Sequence, residues 1–139
     1  MHYWLVKSEP DAWSWEQQVA AGTTHWDGIR NHQAANNLKA MRVGDRAFFY
    51  HSGAERRIVG IVEVVREYYP DPRDASGRFG MVDMRTLNPL PRPVTLAQVK
   101  ADDRLRDLAL VRQSRLSVLP IDDAAWALLS AMGGTTEQP

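Results

Sequence analysis

The chain has 139 residues, 44% of them hydrophobic and 24% charged, which is typical of one globular domain with a hydrophobic core. Its 17 basic and 17 acidic residues give a net charge of zero, which argues against a broad, nonspecific phosphate-binding surface. The absence of cysteine excludes disulfides, thiolate nucleophiles and cysteine-based zinc sites. Because the apolar start is too short for a signal peptide and no segment is long enough to span a membrane, we expect a cytoplasmic protein.

The first third of the chain predicts one strand and two helices. Aromatic and β-branched residues from Tyr3 to Ser8 favour a strand. Ser14 and Gln17 have the spacing of a capping box, which predicts a short helix that ends near Gly22. Asn31 is a favourable N-cap for a second helix. The apolar face of that helix would carry Ala34, Leu38 and Met41.

The rest of the chain predicts strands separated by a surface loop and short helices. Strands are expected at Arg46–His51, Ile58–Val65, Met81–Leu87 and Leu116–Leu119. Turn-forming residues from Tyr69 to Gly80 predict a surface loop, and prolines at 89, 91 and 93 predict that regular pairing stops there. Thr95 and Asp122 are expected to cap two further helices.

The order of these elements indicates the fold class. Strands and helices do not alternate regularly, as they would in a doubly wound parallel sheet. We therefore predict an α+β fold, with one domain over residues 1–134 around a curved sheet or small barrel. Residues 135–139 are expected to form a loose tail.

The segment Trp26–Leu38 carries the strongest functional signal. Trp26 offers a flat face for stacking, while Arg30 and Asn31 offer the donors and acceptors that read a base edge. A helix start also presents free backbone N–H groups to an anion. The structural alternative is that Trp26 belongs to the core and Asn31 only caps the helix.

Two strand ends supply further candidates. Ser8 and Glu9 could bond a base edge with Lys7 facing a phosphate, or they could simply cap the turn before the first helix. Side chains in Phe48–Ser52 point alternately to the two faces of a strand, and one face must belong to the core. The other face could form a wall for a planar ligand, or it could be buried as well.

A basic segment before the last strand could form the rim of a nucleic-acid groove. It contains Arg112 and Arg115, and a solvated face of mixed charge is the alternative. Sequence motifs of phosphate-binding loops, dinucleotide folds, serine hydrolases and zinc proteases are missing, and the four histidines lack metal-ligand spacing. We therefore expect no catalytic residues, no metal and no cofactor.

Several motifs together resemble the EVE domain family, over about residues 2 to 132. They are Tyr3–Pro10, Trp26–Asn31 with Gln33-Ala34 and Asn36–Leu38, Gly44-Asp45, Phe48–Ser52, Ile58–Val62, Pro70-Asp71 and Val111–Val118. The resemblance implies a PUA-like fold, which is a small, curved β-barrel with flanking helices. Relatives with PUA-like folds include YTH domains, which hold a methylated base in an aromatic cage.

The resemblance implies a module that recognises a modified base, such as a modified cytosine or methylated adenine, in DNA or RNA through a pocket with aromatic and polar walls. By motif position, the pocket would be surrounded by Lys7, Ser8, Glu9, Trp26, Arg30, Asn31, Tyr50, His51 and Ser52. Because the chain is neutral, a partner protein or domain could supply additional affinity.

Two hypotheses follow. A binding module would stack a flipped or single-stranded base on an aromatic face, and then Trp26→Ala would weaken binding while leaving the fold intact. An enzyme acting on a nucleotide or nucleic acid would instead use Glu9 and His51 as acid and base, which requires that one substrate can bridge them.

Overall fold

The computed structural model describes residues 1–135, which form six strands and five α-helices. The strands are β1 (Tyr3–Ser8), β2 (Thr23–Trp26), β3 (Arg46–His51), β4 (Arg57–Pro70), β5 (Gly80–Thr95) and β6 (Val118–Ile121). The helices are α1 (Trp15–Ala21), α2 (His32–Ala40), α3 (Leu96–Ala101), α4 (Ala109–Arg112) and α5 (Asp123–Met132). The predicted tail, residues 135–139, lies outside the described residues except for Thr135.

All six strands belong to one sheet, in the order β2-β5-β4-β3-β1-β6. β1 and β3 run parallel, and every other neighbouring pair is antiparallel. Within residues 1–135 no ladder joins the edge strands β2 and β6, so the sheet is open. The predicted α+β class is confirmed, whereas closure of the sheet into a barrel is not shown.

Prolines lie inside the longest strand, β5, where regular pairing with β4 is interrupted as predicted but resumes at Val94. Gly60 of β4 faces Pro89 of β5, but the next pair joins Ile58 to Val94 because the register shifts between them. The β5 residues between these pairs have no Cα partner in β4 in the described ladder. Prolines at 91 and 93 therefore remove no hydrogen bond from the β4–β5 ladder.

β3 is buried on both faces and organises the core. On one face, Phe48 stacks on Trp126 of α5 with ring centroids 4.0 Å apart, and Tyr3 stacks on the same indole at 4.3 Å. On the other face, Phe49 makes edge contacts with Trp15 at 5.2 Å and Trp26 at 5.5 Å. The alternative of two-sided burial for this strand is therefore confirmed.

One strand, which contains the predicted site residue Trp26, was not predicted from the sequence. β2 is a four-residue edge strand that pairs with β5, and its last residue, Trp26, faces Val82. The short helix α4 and the 3₁₀ turn at Asp103–Leu105 are also absent from the prediction. The last strand begins at Val118 instead of Leu116.

Candidate nucleic-acid interface

The parallel pairing of β1 and β3 brings two of the sequence motifs side by side. Lys7 lies opposite Tyr50 in the ladder, and Ser8 lies opposite His51. The Lys7 Nζ atom lies 5.6 Å from the centroid of the Tyr50 ring and donates to the Ser114 carbonyl at 2.9 Å. Partial burial lowers the pKa of Lys7 and raises that of Tyr50. Both groups therefore lie where water is partly excluded.

A cavity of about 250 Å³ opens beside Lys7, and we call it the Lys7 cavity. Its lining consists of Lys7, Tyr50, Ser52, Gly53, Arg56, Leu96, Lys100, Leu110 and Ser114. Three predicted site residues, Lys7, Tyr50 and Ser52, therefore share one cavity. Arg56 and Lys100 contribute two cations that the prediction did not include.

A second depression, of about 380 Å³, lies between the start of α2 and the segment that follows α4. We call it the α2 groove, and it is lined by Asn31, Gln33, Arg112, Gln113, Ser114, Arg115 and Leu116. Ser114 lines both the groove and the Lys7 cavity. The structure thus brings the amide-rich helix start next to both arginines of the predicted rim.

The start of α2 is held by local and distant hydrogen bonds. The Asn31 Oδ1 atom accepts from the Ala34 N–H at 2.9 Å, which confirms its role as N-cap. The Asn37 Nδ2 atom donates to the Val118 carbonyl of β6 at 2.7 Å. Gln33 is exposed on the first turn. The cap uses the oxygen of Asn31 and leaves its NH2 group without a role in the cap, and both Asn31 and Gln33 line the α2 groove.

Arg30 lies in the loop before α2 and is anchored by a buried carboxylate. Its Nη1 atom lies 3.2 Å from Asp71 Oδ2, and its guanidinium carbon lies 5.7 Å from the centroid of the Phe79 ring. The Asp71 side chain is fully buried and also accepts from the Gly28 and Arg73 backbone N–H groups. Burial alone would raise the pKa of Asp71, but these hydrogen bonds and the guanidinium lower it.

Four predicted site residues are buried: Ser8, Trp26, Tyr50 and His51. Trp26 is 7% exposed and belongs to the core, where its ring meets Phe49 edge-on. The Ser8 hydroxyl donates to the Trp13 carbonyl, so it serves the turn after β1. Burial of Trp26 means that Trp26→Ala is expected to cost stability, by about 3–5 kcal/mol. That variant therefore does not separate a binding role from a structural role.

His51 has both ring nitrogens engaged. Its Nε2 atom accepts from the Trp15 backbone N–H at 2.9 Å, and its Nδ1 atom lies 2.8 Å from Glu55 Oε1. The ring must therefore carry its proton on Nδ1 and donate it to Glu55, and this hydrogen bond lowers the pKa of Glu55. Glu9 is exposed, and a Cβ atom built on Gly53 would meet its carboxylate at 2.6 Å. The hydrogen bonds of His51 connect it to α1 and Glu55, not to Glu9.

The sequence contained partial signals for the residues that the prediction missed. Lys100 stands in the basic segment before the last strand, and Arg56 follows Gly53 in the turn between β3 and β4. Their convergence depends on how α3 packs against this turn, where the Leu96 N–H donates to the Arg56 carbonyl at 2.9 Å. No local pattern encodes that contact.

The described part of the chain contains neither a cluster of metal-binding side chains nor a helix that could span a membrane. Among residues 1–135, no group of three or more histidine or acidic side chains could hold a metal ion. In the same part of the chain, no helix is both long and apolar enough to cross a membrane.

Comparison with solved structures shows close similarity along the whole fold. Rpa0253 from Rhodopseudomonas palustris is 56% identical, with a TM-score of 0.93, and the match covers 99% of this chain and 97% of that one. Human THYN1 protein, solved in complex with 5-methylcytosine containing DNA, is 29% identical with a TM-score of 0.88, and both chains are covered completely. The YTH domain of Zygosaccharomyces rouxii MRB1 protein, at 14% identity and a TM-score of 0.60, shares the fold.

Sequence comparison identifies the family. Human and chicken thymocyte nuclear protein 1 are 33% and 35% identical over 86% of this chain, which spans 68% and 63% of their own lengths. The family model of the EVE domain matches residues 2–132. This chain therefore belongs to the EVE domain family.

Proposed function

We propose that this chain is a nucleic-acid-binding module that recognises a modified base in DNA or RNA, such as a modified cytosine or methylated adenine. The observation that carries the proposal is the α2 groove, where amide side chains of the helix start meet Arg112 and Arg115. Amides read base edges, and arginines attract the phosphates beside them. Human THYN1 in complex with 5-methylcytosine containing DNA supports the same function in a relative of this family.

The α2 groove has the hydrogen-bonding groups that reading a base edge requires, although none of its lining residues is aromatic. The Gln33 amide provides donors and an acceptor, while the NH2 group of Asn31 remains a donor after its oxygen caps the helix. α2 is nine residues long, and its first-turn backbone N–H groups favour a nearby anion. Arg115 is exposed, and the Arg112 Nη2 atom forms an ion pair with Asp107 Oδ1 at 2.8 Å. The groove thus combines base-reading groups with a positive rim.

The site residues divide into two sets in this proposal. The residues expected to face ligand are Lys7, Asn31, Tyr50 and Ser52, with Arg112 and Arg115 on the rim. The residues expected to hold these in place from below or beside are Ser8, Glu9, Trp26, Arg30 and His51. This division follows from which side chains line the two depressions. Tyr50 lines the Lys7 cavity although only 3% of its surface is exposed.

We also propose a PUA-like sheet, a single domain and a cytoplasmic location. Register shifts along the β4–β5 ladder bend both long strands, which supports a curved, PUA-like sheet close to a small barrel. We propose a single domain over residues 1–134 in a cytoplasmic protein. Because the chain is neutral, a partner protein or domain is expected to add affinity for the nucleic acid.

Catalysis is not part of the proposal. His51 would have to release the Trp15 N–H before its Nε2 atom could accept a proton, and that N–H begins α1. A general base needs a free acceptor within reach of its substrate. We therefore propose that His51 supports the aromatic residues behind the site and that the chain binds without turnover.

The test is a binding titration with matched short oligomers that differ only in the modification of one base. We expect the wild-type chain to prefer one modified form. Gln33→Ala should lower that preference by about 2- to 10-fold, the effect of losing one hydrogen bond. Asn36→Ala is the matched control because Asn36 is exposed on α2 but does not line the groove. Equal affinity of the wild type for every oligomer would refute base reading.

A further inference from the structure

The Lys7 cavity concentrates positive charge. Lys7, Arg56 and Lys100 line it, and none of its lining residues is acidic. Across the described residues, these three cations form no ion pair with a carboxylate. Arginines at six other positions do form one: Arg30, Arg57, Arg73, Arg85, Arg104 and Arg112. The cavity therefore gathers cations whose charge remains available to a ligand.

Lys7 is the innermost of these cations. Its ammonium donates to a neutral acceptor, the Ser114 carbonyl, and stands over the Tyr50 ring. Lys7 is half-buried, so its ammonium has lost part of its hydration, and this burial lowers the pKa of Lys7. A partly desolvated cation attracts an anion more strongly than one in bulk water. An anion in the cavity would replace the missing hydration.

Arg56 is held in place by an unusual backbone conformation. Its φ is +46°, and within residues 1–135 it is the only non-glycine residue with a positive φ. The Leu96 N–H donates to its carbonyl at 2.9 Å and so ties this turn to α3. Backbone strain of this kind costs about 1–3 kcal/mol and is retained where surrounding structure fixes it, often at binding sites. Here the strained turn presents Arg56 to the cavity.

Two carboxylates beside the cavity limit the charge of the ligand. Glu9 lies against Gly53, which lines the cavity, and Glu55 lines the adjoining depression together with Arg56 and Lys100. These carboxylates offset part of the positive charge and would repel a highly charged anion. The hydroxyl groups of Tyr50 and Ser52 add two hydrogen-bonding groups to the lining. A singly charged phosphodiester fits this combination of cations and hydroxyls.

We propose that the Lys7 cavity binds one backbone phosphate of the nucleic acid whose modified base lies in the α2 groove. The inference rests on the proposed function, because Ser114 is the shared wall between the two depressions. Arg56 and Lys100 are the phosphate-binding residues that this inference adds. Phosphate contacts position the strand and carry no sequence information, so this subsite supplies affinity and register.

The first test measures the salt dependence of binding. Arg56→Gln and Lys100→Gln should each weaken binding to modified and unmodified oligomers by the same factor. If a variant loses its phosphate contact, the slope of log K against log salt should become shallower by about 0.7–0.9. Arg85→Gln is the control, since it removes one positive charge from a residue paired with Glu63 and outside the cavity. Its slope should remain that of the wild type.

The second test locates the phosphate. Each oligomer of a set carries one neutral methylphosphonate in place of a phosphate, at a different position around the modified base. At one position the methylphosphonate should weaken oligomer binding by the wild type, and it should weaken binding by Arg56→Gln less, because the variant has already lost one of the three cations that contact that phosphate. Inorganic phosphate added as competitor shows whether a free anion and the oligomer use the same cavity. Phosphate that binds the wild type but not Arg56→Gln, and that leaves oligomer binding unchanged, would assign the cavity to free phosphate and overturn the backbone subsite.

The outcomes separate the two proposals. If the wild type keeps its modification preference but Arg56→Gln behaves like Arg85→Gln, the subsite is wrong and base reading stands. If the preference is absent while one methylphosphonate position still matters, base reading is wrong and the phosphate site stands. If the wild type binds no oligomer, both proposals fail.

Discussion

Asp71→Asn tests whether one buried carboxylate organises the loop that leads into α2. The Asp71 side chain accepts from the Gly28 N–H at 3.1 Å, the Arg73 N–H at 2.9 Å and the Arg30 guanidinium at 3.2 Å. Asparagine keeps one oxygen but turns the other acceptor into an NH2 donor. At least one backbone N–H therefore loses its partner in a buried position. The change removes a hydrogen bond that water cannot replace.

The expected cost follows from those contacts. Leaving one buried donor unsatisfied costs about 1–3 kcal/mol. The half-exposed Arg30 pair adds about 1 kcal/mol at most, because solvent screens it. We therefore expect the free energy of unfolding to fall by about 1–4 kcal/mol, measured by urea denaturation with an unchanged m-value. Asp74→Asn is the control, since Asp74 makes similar hydrogen bonds in the same loop nearer to solvent.

The pH dependence gives a second readout of the same carboxylate. The pKa of Asp71 is lowered in the folded state from an ordinary value of 3.8. Its contribution to stability is therefore fully present above that ordinary value and is lost as the pH falls through the lower, folded-state pKa. Asp71→Asn should flatten this acid limb of the stability curve. A loss below about 0.5 kcal/mol with an unchanged acid limb would refute the role assigned to Asp71.

Two further predictions concern packing and ionisation. Gly60→Ala should destabilise the chain by about 1–3 kcal/mol, because the new Cβ would lie 2.3 Å from the Trp15 ring. In a Trp15→Ala background the penalty in thermal or urea unfolding should shrink, and an unchanged penalty would contradict the clash. Burial and a hydrogen bond to Asp83 raise the pKa of Tyr69 to about 12. In a spectrophotometric titration, the phenol ionisation near pH 12 should therefore be present in the wild type and absent in Tyr69→Phe. If Tyr69→Phe still shows that ionisation, it does not belong to Tyr69.

Helix boundaries were predictable because capping is local chemistry. Ser14 and Thr95 form the two capping boxes that their spacing predicts, and Asn31 and Asp122 cap α2 and α5 as expected. Each of these caps needs only an oxygen and a backbone N–H two or three residues away. The sequence displays such pairs directly.

β2 shows why other parts of the fold were not predictable. Thr23–Trp26 is short, and its partner residues in β5 are Val82–Arg85, far along the chain. Its strand conformation therefore depends on a distant strand and not on a local pattern. The same pairing buries Trp26, which a local reading of the motif leaves open to ligand.

Sequence motifs predicted only part of the candidate site, because some of its residues meet only through tertiary packing. The motifs identified Lys7, Asn31, Tyr50 and Ser52, which line the two depressions. They did not identify Arg56 or Lys100, whose approach depends on the packing of α3 against a turn. A linear motif marks residues of the right chemistry, but their convergence is a property of the folded chain.

Chemical-shift mapping of the isotope-labelled chain with matched modified and unmodified oligomers tests the central claim most directly. We predict that the modified oligomer shifts the backbone amides of residues 31–34 and 112–116, and that the unmodified oligomer shifts them less at equal concentration. Modification-independent shifts of equal size would contradict base reading. Shifts confined to the opposite end of the sheet, around His2, Ile121 and Asp122, would place binding at a different surface.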